Sequence, residues 1–516
     1  MRHHSESPRW RPGNVKTLVA SMQNNPDTRV LIVLFDALRP EFVTPELMPN
    51  LHAFATDGVR YDNSHSIFPT ETRVNQTAVV TGCLPRNTGI VANGFMAMDC
   101  MPEQVVHTAN DELLERAFAL TNNQLIGVPT LGQRLTAAGL CYASLSAGTA
   151  GGGRLINHSA EIDGSFRFTM RNPDASCPTG VLNQISQKTG PIPVYERPAT
   201  EWISWAVDAY LRWIEPEVNP HLMLLWLCEP DETFHYHGIG SAPSIETIKH
   251  ADSEFGRILE SHHEAIDKGT LNIIAQSDHG QITLKGEPVD IPARLCEAGF
   301  RAAAQPADDI DCVVVVHNGG GIWVKDDDAG LIAKLVDFLT QQDWCGPLFT
   351  RNGCSGTLTL DQIGLDHPRA PSIALAMRYD DSKNQFGIKG NTRHDAPYPV
   401  GGGCHGGLSR HEINNFLCMG GAAFKTNFTP DVPAGNIDIA PTVCRLLGID
   451  EPASFDGRVL EEALLTNEDK RIDDSLETTS GATNSSGSKT YLSFTDYCGV
   501  RYLNRAWVED CPTTLS

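Results

Sequence analysis

The chain has 516 residues, 41% hydrophobic and 20% charged, which is the composition of an ordinary globular protein. Its 40 basic and 63 acidic residues leave a net charge of −23, which argues against broad binding to nucleic-acid polymers or anionic membranes. No apolar run approaches the roughly 20 residues that span a bilayer, and the polar N-terminus lacks an apolar signal region. We therefore expect a cytoplasmic protein, built as one large α/β domain with an insertion or as two to three domains.

Three continuous apolar runs predict buried parallel strands, and each run ends on an acid. The runs are RVLIVLFDA (residues 29–37), HLMLLWLCEPD (221–231) and LNIIAQSDHG (271–280). Their acids are Asp36, Asp231 and Asp278. In α/β proteins the carboxyl ends of parallel strands hold the ligand site, so these acids are candidate ligands. Any one of them alone could equally end a turn or cap a helix.

Histidines accompany these acids. His235 follows Asp231 by four residues, which places both side chains on one face of a helical turn. His279 directly follows Asp278, and His405 sits in the glycine-rich segment GGGCHGGLS, where backbone can approach an ion closely. Carboxylate and imidazole together suit zinc, although they do not exclude manganese or iron. His237 and His411 are competing ligands close to His235 and His405.

Thr72 is the candidate nucleophile, in IFPTETRVNQTAVVTG (residues 67–82). The apolar pattern predicts a helix that begins at Thr72 and stops near Gly82. The free N–H groups and positive dipole end of a helix start favour an attacked phosphoryl group. Taken alone, Thr72 could be a simple helix cap, and Thr70 is the rival nucleophile.

The rest of the chain predicts the domain organisation. A catalytic domain takes in residues 29–280 and 401–463, and its glycine-rich stretch 148–157 is expected to be a flexible loop beside the site. Glycine, proline and charge become frequent at 281–400, which indicates an inserted subdomain with strands within 312–324 and 371–379 and a helix near 329–342. Residues 464–490 are predicted to be a flexible linker. The aromatic segment 491–516 is expected to dock as a terminal hairpin on its own chain or on a neighbour, which leaves a homo-oligomer open.

As an ordered set, these motifs resemble the alkaline phosphatase superfamily, and within it the nucleotide pyrophosphatase/phosphodiesterase branch. The resemblance covers roughly residues 29–450. It rests on the motifs VLFDALRP, TRVN with VTG and GIVAN after it, PDETFH, DHG, HGG, and DIAPTV followed by LLG. Each motif alone is weak, whereas their order is specific. The resemblance implies an α/β fold with a central, mostly parallel sheet and helices on both faces.

The same resemblance implies two zinc ions and a role for each motif residue. One ion would be held by Asp231, His235 and His405, and the other by Asp36, Asp278, His279 and the oxygen of Thr72. Asn93 and the backbone N–H of Thr72 would hold a phosphoryl oxygen. Thr72 is preferred to Thr70 because it lies three residues before Asn75 and 21 before Asn93, as in the family. The expected reaction is hydrolysis of a small phosphodiester or pyrophosphate through a phospho-Thr72 intermediate.

Two positions depart from the family pattern. The residue after the nucleophile is often aromatic in the nucleotide-cleaving members, but here it is Arg73, and Val74 replaces the motif proline. Arg73 could bind an additional anionic group of the substrate. A phosphonate hydrolase related to phosphonoacetate hydrolase, which shares the metal set, is therefore the first alternative, and a phosphomonoesterase is the second. A catalytically inactive binding protein of the same fold is the alternative from another class.

Overall fold

A seven-stranded sheet forms the centre of the computed structural model, which describes residues 27–354, 356–450, 454–465, 475–485 and 487–510. Its strands are β1 (Arg29–Asp36), β2 (Val59–Tyr61), β3 (Tyr142–Ser146), β4 (Phe166–Thr169), β5 (Leu222–Pro230), β6 (Leu271–Ser277) and β7 (Leu417–Gly421). Their order across the sheet is β2-β7-β6-β1-β5-β3-β4. β1 runs parallel to both β5 and β6, whereas β7 is antiparallel to its two neighbours. The predicted mostly parallel sheet is confirmed.

Helices cover both faces of this sheet, as predicted. Alternate residues of β1 belong to two different cores, because successive side chains of a strand point to opposite faces. The helices on one face are Pro49–Asp57, Leu182–Thr189, Thr200–Ala209 and Ala242–Asp267. Those on the other face are Thr72–Thr81, Leu131–Ala137 and Ile439–Leu446. β1 is therefore buried from both sides, which explains its continuous apolar sequence.

Residues 281–400 build a separate mixed sheet with its own apolar core. Its six strands, in spatial order, are Ala302–Ala303, Cys312–Val316, Gly319–Val324, Ile373–Met377, Cys345–Thr350 and Leu358–Thr359. Two helices, Ile291–Glu297 and Ala329–Leu339, share this core. A second, four-stranded sheet consists of Tyr379–Lys383, Lys389–Thr392, Ile282–Leu284 and Gly403–Cys404, and so leads directly to the segment that carries His405.

The glycine-rich stretch 148–157 is not the flexible loop that its composition predicts. Residues Ala150–Ile156 form a buried helix on the same side of the sheet as Trp226. A Cβ atom at Gly148 or Gly152 would collide with the Trp226 indole, and one at Gly151 would collide with the carbonyl of Thr108. The glycines are required here for close packing, so their number was a misleading indicator of flexibility.

The predicted flexible linker at 464–490 is also wrong over much of its described length. Leu476–Thr483 is a strand that pairs with Lys489–Tyr497, and Val500–Glu509 completes a three-stranded sheet. Residues 466–474, 486 and 511–516 lie outside the described part of the chain. The sheet packs on its own chain: the backbone N–H of Ala506 donates to the carbonyl of Leu408, at 2.9 Å.

In the described ranges, no helix is both long enough and apolar enough to cross a bilayer.

Candidate active site

The three predicted acids meet at one edge of the central sheet. Asp36 is the last residue of β1, Asp231 opens the helix Asp231–His237 directly after β5, and Asp278 directly follows β6. Because β1 lies between β5 and β6 and runs parallel to both, the carboxyl ends of all three strands are adjacent. Two of the acids, Asp36 and Asp231, line a cavity of about 270 Å³.

Thr72 is the first residue of the helix Thr72–Thr81 and lines the same cavity. Its side chain does not cap the helix: the N-cap position belongs to Glu71, whose side chain makes no cap bond. The Thr72 hydroxyl instead lies 3.0 Å from Nε2 of His279. The hydroxyl of Thr70 is instead bonded to backbone. It donates to the carbonyl of Gly407 at 2.9 Å and accepts from the N–H of Gly406 at 2.9 Å. The hydroxyl that faces the cavity is that of Thr72.

Asn75 holds the backbone that leads into this helix. Its Oδ1 accepts from the N–H of Ile67 at 2.7 Å. Its Nδ2 lies within hydrogen-bond distance of the carbonyls of Ile67, Pro69 and Glu71, at 3.1–3.2 Å. The motif asparagine therefore shapes the turn before Thr72 and does not face the cavity itself, which is consistent with its complete burial.

Each of the three predicted histidines is oriented through its Nδ1 atom. Nδ1 donates to a backbone carbonyl: His235 to Gly403 at 2.7 Å, His279 to Gly280 at 3.0 Å, and His405 to Thr70 at 2.9 Å. A carbonyl only accepts, so the proton lies on Nδ1 and the lone pair of Nε2 is left for another partner. This is how metal-ligating histidines are commonly held.

Asp231, His235 and His405 form one candidate metal-binding group, with ligand atoms all within 4.8 Å of one another. Nε2 of His235 lies 3.2 Å from one carboxylate oxygen of Asp231, and Nε2 of His405 lies 3.4 Å from the other. With the histidine protons on Nδ1, the group presents the Asp231 carboxylate and two Nε2 lone pairs, which suits a first-row dication.

Asp36, Asp231 and His279 form a second candidate group within the same 4.8 Å limit. Oδ2 of Asp278 lies 3.7 Å from Nε2 of His279, as does Oδ1 of Asp36. Both of these carboxylate oxygens are buried without a hydrogen-bond partner among the described atoms. Burial, followed by repulsion from Asp278 and Asp231, raises the pKa of Asp36 well above its usual range. A bound cation would relieve the repulsion between these buried acids, so the residues fit a metal here as well.

Asn93 and Arg73, the residues predicted to bind substrate, lie beside Thr72 in the cavity wall. Oδ1 of Asn93 accepts from the backbone N–H of Arg73 at 3.1 Å, which leaves its amide N–H₂ as the end available to the cavity. Nε of Arg73 donates to the hydroxyl of Thr108 at 3.3 Å. Among the described residues, no carboxylate oxygen lies within 4 Å of the Arg73 guanidinium.

The sequence reasoning missed several residues of the cavity wall. Glu71 is buried and accepts a short hydrogen bond from the N–H of Asn93, and burial raises its pKa to about 7. Tyr398 stacks on His235 with ring centroids 3.9 Å apart, and His317 enters from the inserted sheet. Glu71 directly precedes Thr72, so its place in the motif could have signalled it, whereas Tyr398 and His317 lie in no local motif.

The two competing histidines lie elsewhere. His237 is exposed at the end of its helix. His411 pairs with Asp381 at 2.8 Å and lies 3.1 Å from the Arg39 guanidinium. Neither belongs to the candidate metal-binding groups found among the described residues.

Comparison with solved structures gives the fold. Murine ectonucleotide pyrophosphatase/phosphodiesterase 5 superimposes with a TM-score of 0.57 at 19% identity, covering 82% of this chain and 96% of that one. The human counterpart superimposes with a TM-score of 0.55 at 18% identity and the same coverage. The architecture is therefore alkaline phosphatase-like.

Sequence relatives cover about half of the chain. Ectonucleotide pyrophosphatase/phosphodiesterase family member 3 of Mus musculus is 25% identical over 263 residues, 49% of this chain and 24% of the relative. Venom phosphodiesterase CdcPDE of Crotalus durissus collilineatus is 24% identical over 234 residues, 45% of this chain and 24% of the relative. Family member 7 of Rattus norvegicus is 26% identical over 272 residues, 52% of this chain and 54% of the relative. The first two matches therefore span about a quarter of the relatives' own length.

The profile of one protein family matches residues 30–310, which is more than half of the chain and includes every motif from Asp36 to His279. The chain belongs to the type I phosphodiesterase/nucleotide pyrophosphatase family of the alkaline phosphatase superfamily.

Proposed function

We propose that this protein hydrolyses phosphodiesters or pyrophosphates with Thr72 as the nucleophile. The observation that carries the proposal is the placement of the Thr72 hydroxyl, at a helix start and 3.0 Å from Nε2 of His279, beside two candidate metal-binding groups. Relatives named phosphodiesterase and ectonucleotide pyrophosphatase/phosphodiesterase support the reaction class. One superimposed structure is that of murine family member 5 as an inactive threonine-to-alanine variant in complex with AMP.

We propose two zinc ions as the resident metals. Asp231, His235 and His405 would hold one, and Asp36, Asp278, His279 and the Thr72 oxygen the other. When bound, the metals supply positive charge that lowers the pKa of the Thr72 hydroxyl and stabilises charge on the reacting oxygens. They would also offset the acidic net charge of −23, which by itself repels an anionic substrate.

The chain's own residues then orient the reaction. The Thr72 hydroxyl loses its proton to solvent, and Oγ1 forms a bond to phosphorus as the bond from phosphorus to the ester or anhydride oxygen breaks. The departing oxygen takes a proton from solvent, and phospho-Thr72 remains. The Asn93 amide and the backbone N–H of Thr72 hold a non-bridging oxygen at the positive end of the helix. Water cleaves the phospho-Thr72 bond in a second step and restores the hydroxyl. Glu71 keeps Asn93 close to the helix start through the N–H of Asn93.

A second candidate function follows from Arg73. Its guanidinium lines the cavity without a carboxylate partner, so a substrate with a further acidic group would find a counter-ion there. A phosphonate hydrolase of the phosphonoacetate type, or a phosphomonoesterase binding a dianion, would use this residue.

The test is zinc-loaded turnover of bis-p-nitrophenyl phosphate beside p-nitrophenyl phosphate at equal concentration and mildly alkaline pH. We expect a strong preference for the diester, and loss of turnover in Thr72→Ala with zinc retained. A preference for the monoester would contradict the diesterase assignment. Turnover of neither compound with zinc bound would favour the phosphonate hydrolase.

A further inference from the structure

Two basic side chains from different parts of the fold reach the same cavity. Arg73 comes from the nucleophile helix of the central domain, and His317 comes from the turn between the inserted strands Cys312–Val316 and Gly319–Val324. His317 is exposed, and Arg73 is partly buried. We propose that Arg73 and His317 form a subsite for a second anionic group of the substrate, a carboxylate or a phosphate, beyond the phosphoryl group that Thr72 attacks. This inference rests on the proposed function.

The Nε atom of the Arg73 guanidinium is hydrogen-bonded to protein, and its terminal N–H groups are available to a ligand. Nε donates to the hydroxyl of Thr108, which in turn donates to the carbonyl of Asn93 at 2.7 Å. Thr108 is fully buried, so this support is rigid. The fork of the guanidinium carries further donors suited to a planar anion, and no carboxylate lies within 4 Å of it among the described residues.

A second arginine of the cavity wall shows the contrast. Arg197 donates to Glu232 at 2.9 Å, and its guanidinium lies over the Tyr236 ring at 4.2 Å. Its charge is therefore already matched by protein. Arg73 forms no such ion pair among the described residues, although its charge also lowers the pKa of Glu71 and of Asp36.

The turn that carries His317 is anchored to the His405 segment. Nδ2 of Asn318 donates to Glu412 at 2.5 Å, and Glu412 also accepts from the N–H of Gly407 at 2.7 Å. Gly319 passes so close to the carbonyl of Gly406 that a Cβ atom would not fit. The inserted subdomain therefore presents His317 to the site in a defined position.

His317 would act as a hydrogen-bond donor. In either protonation state its imidazole carries an N–H that can donate to an anionic oxygen. Arg73 then supplies the positive charge, and the hydrogen bond from His317 orients the anionic group.

The experiment compares two substrates. Attack on the α-phosphorus of ADP releases a second phosphate as the leaving group, whereas bis-p-nitrophenyl phosphate has no second anionic group. Arg73→Gln should lower kcat/KM for ADP by about ten- to a hundredfold, the usual weight of a charge-assisted hydrogen bond. His317→Gln should lower it by less. The ratio of kcat/KM for ADP to kcat/KM for the diester should therefore fall in both variants, and more in Arg73→Gln. Arg116→Gln, at an exposed arginine paired with Glu103, is the matched control and should change neither rate.

A binding measurement separates this inference from the proposed reaction. Zinc-loaded Thr72→Ala is titrated with phosphonoacetate and with methylphosphonate, which lacks the carboxylate. Tighter binding of phosphonoacetate that disappears in Thr72→Ala/Arg73→Gln supports the subsite even if no substrate turns over. Equal loss of both substrates in Arg73→Gln, or binding of phosphonoacetate unaffected by that change, would overturn it.

Discussion

The hydroxyl of Thr72 and Nε2 of His279 lie 3.0 Å apart although 207 residues separate them in the chain. Thr72 arrives at this position on a helix packed against one face of the sheet, and His279 arrives at the end of β6. The contact joins the candidate nucleophile to a candidate metal ligand. It also separates Thr72 from Thr70, whose hydroxyl is engaged by the backbone of the His405 segment.

The first prediction concerns the two threonines. Thr72→Ala should reduce turnover by about three orders of magnitude or more, because the proposed nucleophile is removed. Thr70→Ala should keep the chemistry but lose about 1–2 kcal/mol of stability, because two backbone groups lose their partner. Steady-state kinetics and thermal unfolding of both variants check this. Near-normal turnover in Thr72→Ala, with Thr70→Ala inactive, would reverse the assignment.

The second prediction concerns metal stoichiometry. Asp231 belongs to both candidate metal-binding groups, so Asp231→Asn should lower the content of the proposed zinc ions at both sites. His235→Gln should affect one group only. His237→Gln, which changes an exposed histidine of the same helix, is the matched control and should retain full zinc. The metal content of all three variants is measured after exhaustive dialysis. Full zinc content in Asp231→Asn would contradict the prediction that Asp231 is a ligand shared by both groups.

The third prediction concerns Asn75. Its side chain bonds to both backbone groups of Ile67 and to two carbonyls further along the turn before Thr72. Asn75→Ala should therefore lower the free energy of unfolding by about 2–3 kcal/mol. Turnover should fall as well, because the nucleophile loses its position. Asn75→Ala with wild-type melting temperature and wild-type kcat would show that the turn holds its shape without this side chain.

The fourth prediction is a pH dependence far from the candidate metal ligands. Arg369 is buried and bonds to both carboxylate oxygens of Asp99, at 2.6–3.1 Å, and this bonding lowers the pKa of Asp99. A carboxylate whose pKa is lowered by folding contributes stability above its unfolded pKa of about 3.9, and that stability is lost as the pH falls through the folded value.

Asp99→Asn should therefore be less stable than wild type at pH 7, by about 1 kcal/mol because Asp99 is half exposed and screened by solvent. The difference should shrink as the pH falls below the unfolded pKa of about 3.9, and vanish once the pH is below the lowered pKa of the folded wild-type carboxylate. Denaturation of both proteins across this range is the measurement. A difference that grows toward acid pH would have the wrong sign for this ion pair.

The main features of the fold follow from local sequence. Strands β1, β5 and β6 were predicted because strands covered by helices on both faces are apolar throughout, and this pattern needs no partner to be recognised. Two predictions of flexible segments were wrong. The glycines of 148–157 allow close packing of a buried helix, and the polar residues around 476–483 belong to an exposed strand, so neither composition indicated flexibility. The domain boundaries and the cytoplasmic location remain predictions.

The sequence by itself determined the three strand-end acids, the accompanying histidines and the helix that begins at Thr72, because each depends on neighbours within one strand or one turn. Only the tertiary structure showed that Thr72 and not Thr70 faces the cavity, brought Glu71 against Asn93, and placed His317 at the cavity wall. These relationships depend on hydrogen bonds and packing between segments far apart in the chain. Hydrophobic periodicity predicts that such segments are buried, but it does not specify which side chains meet.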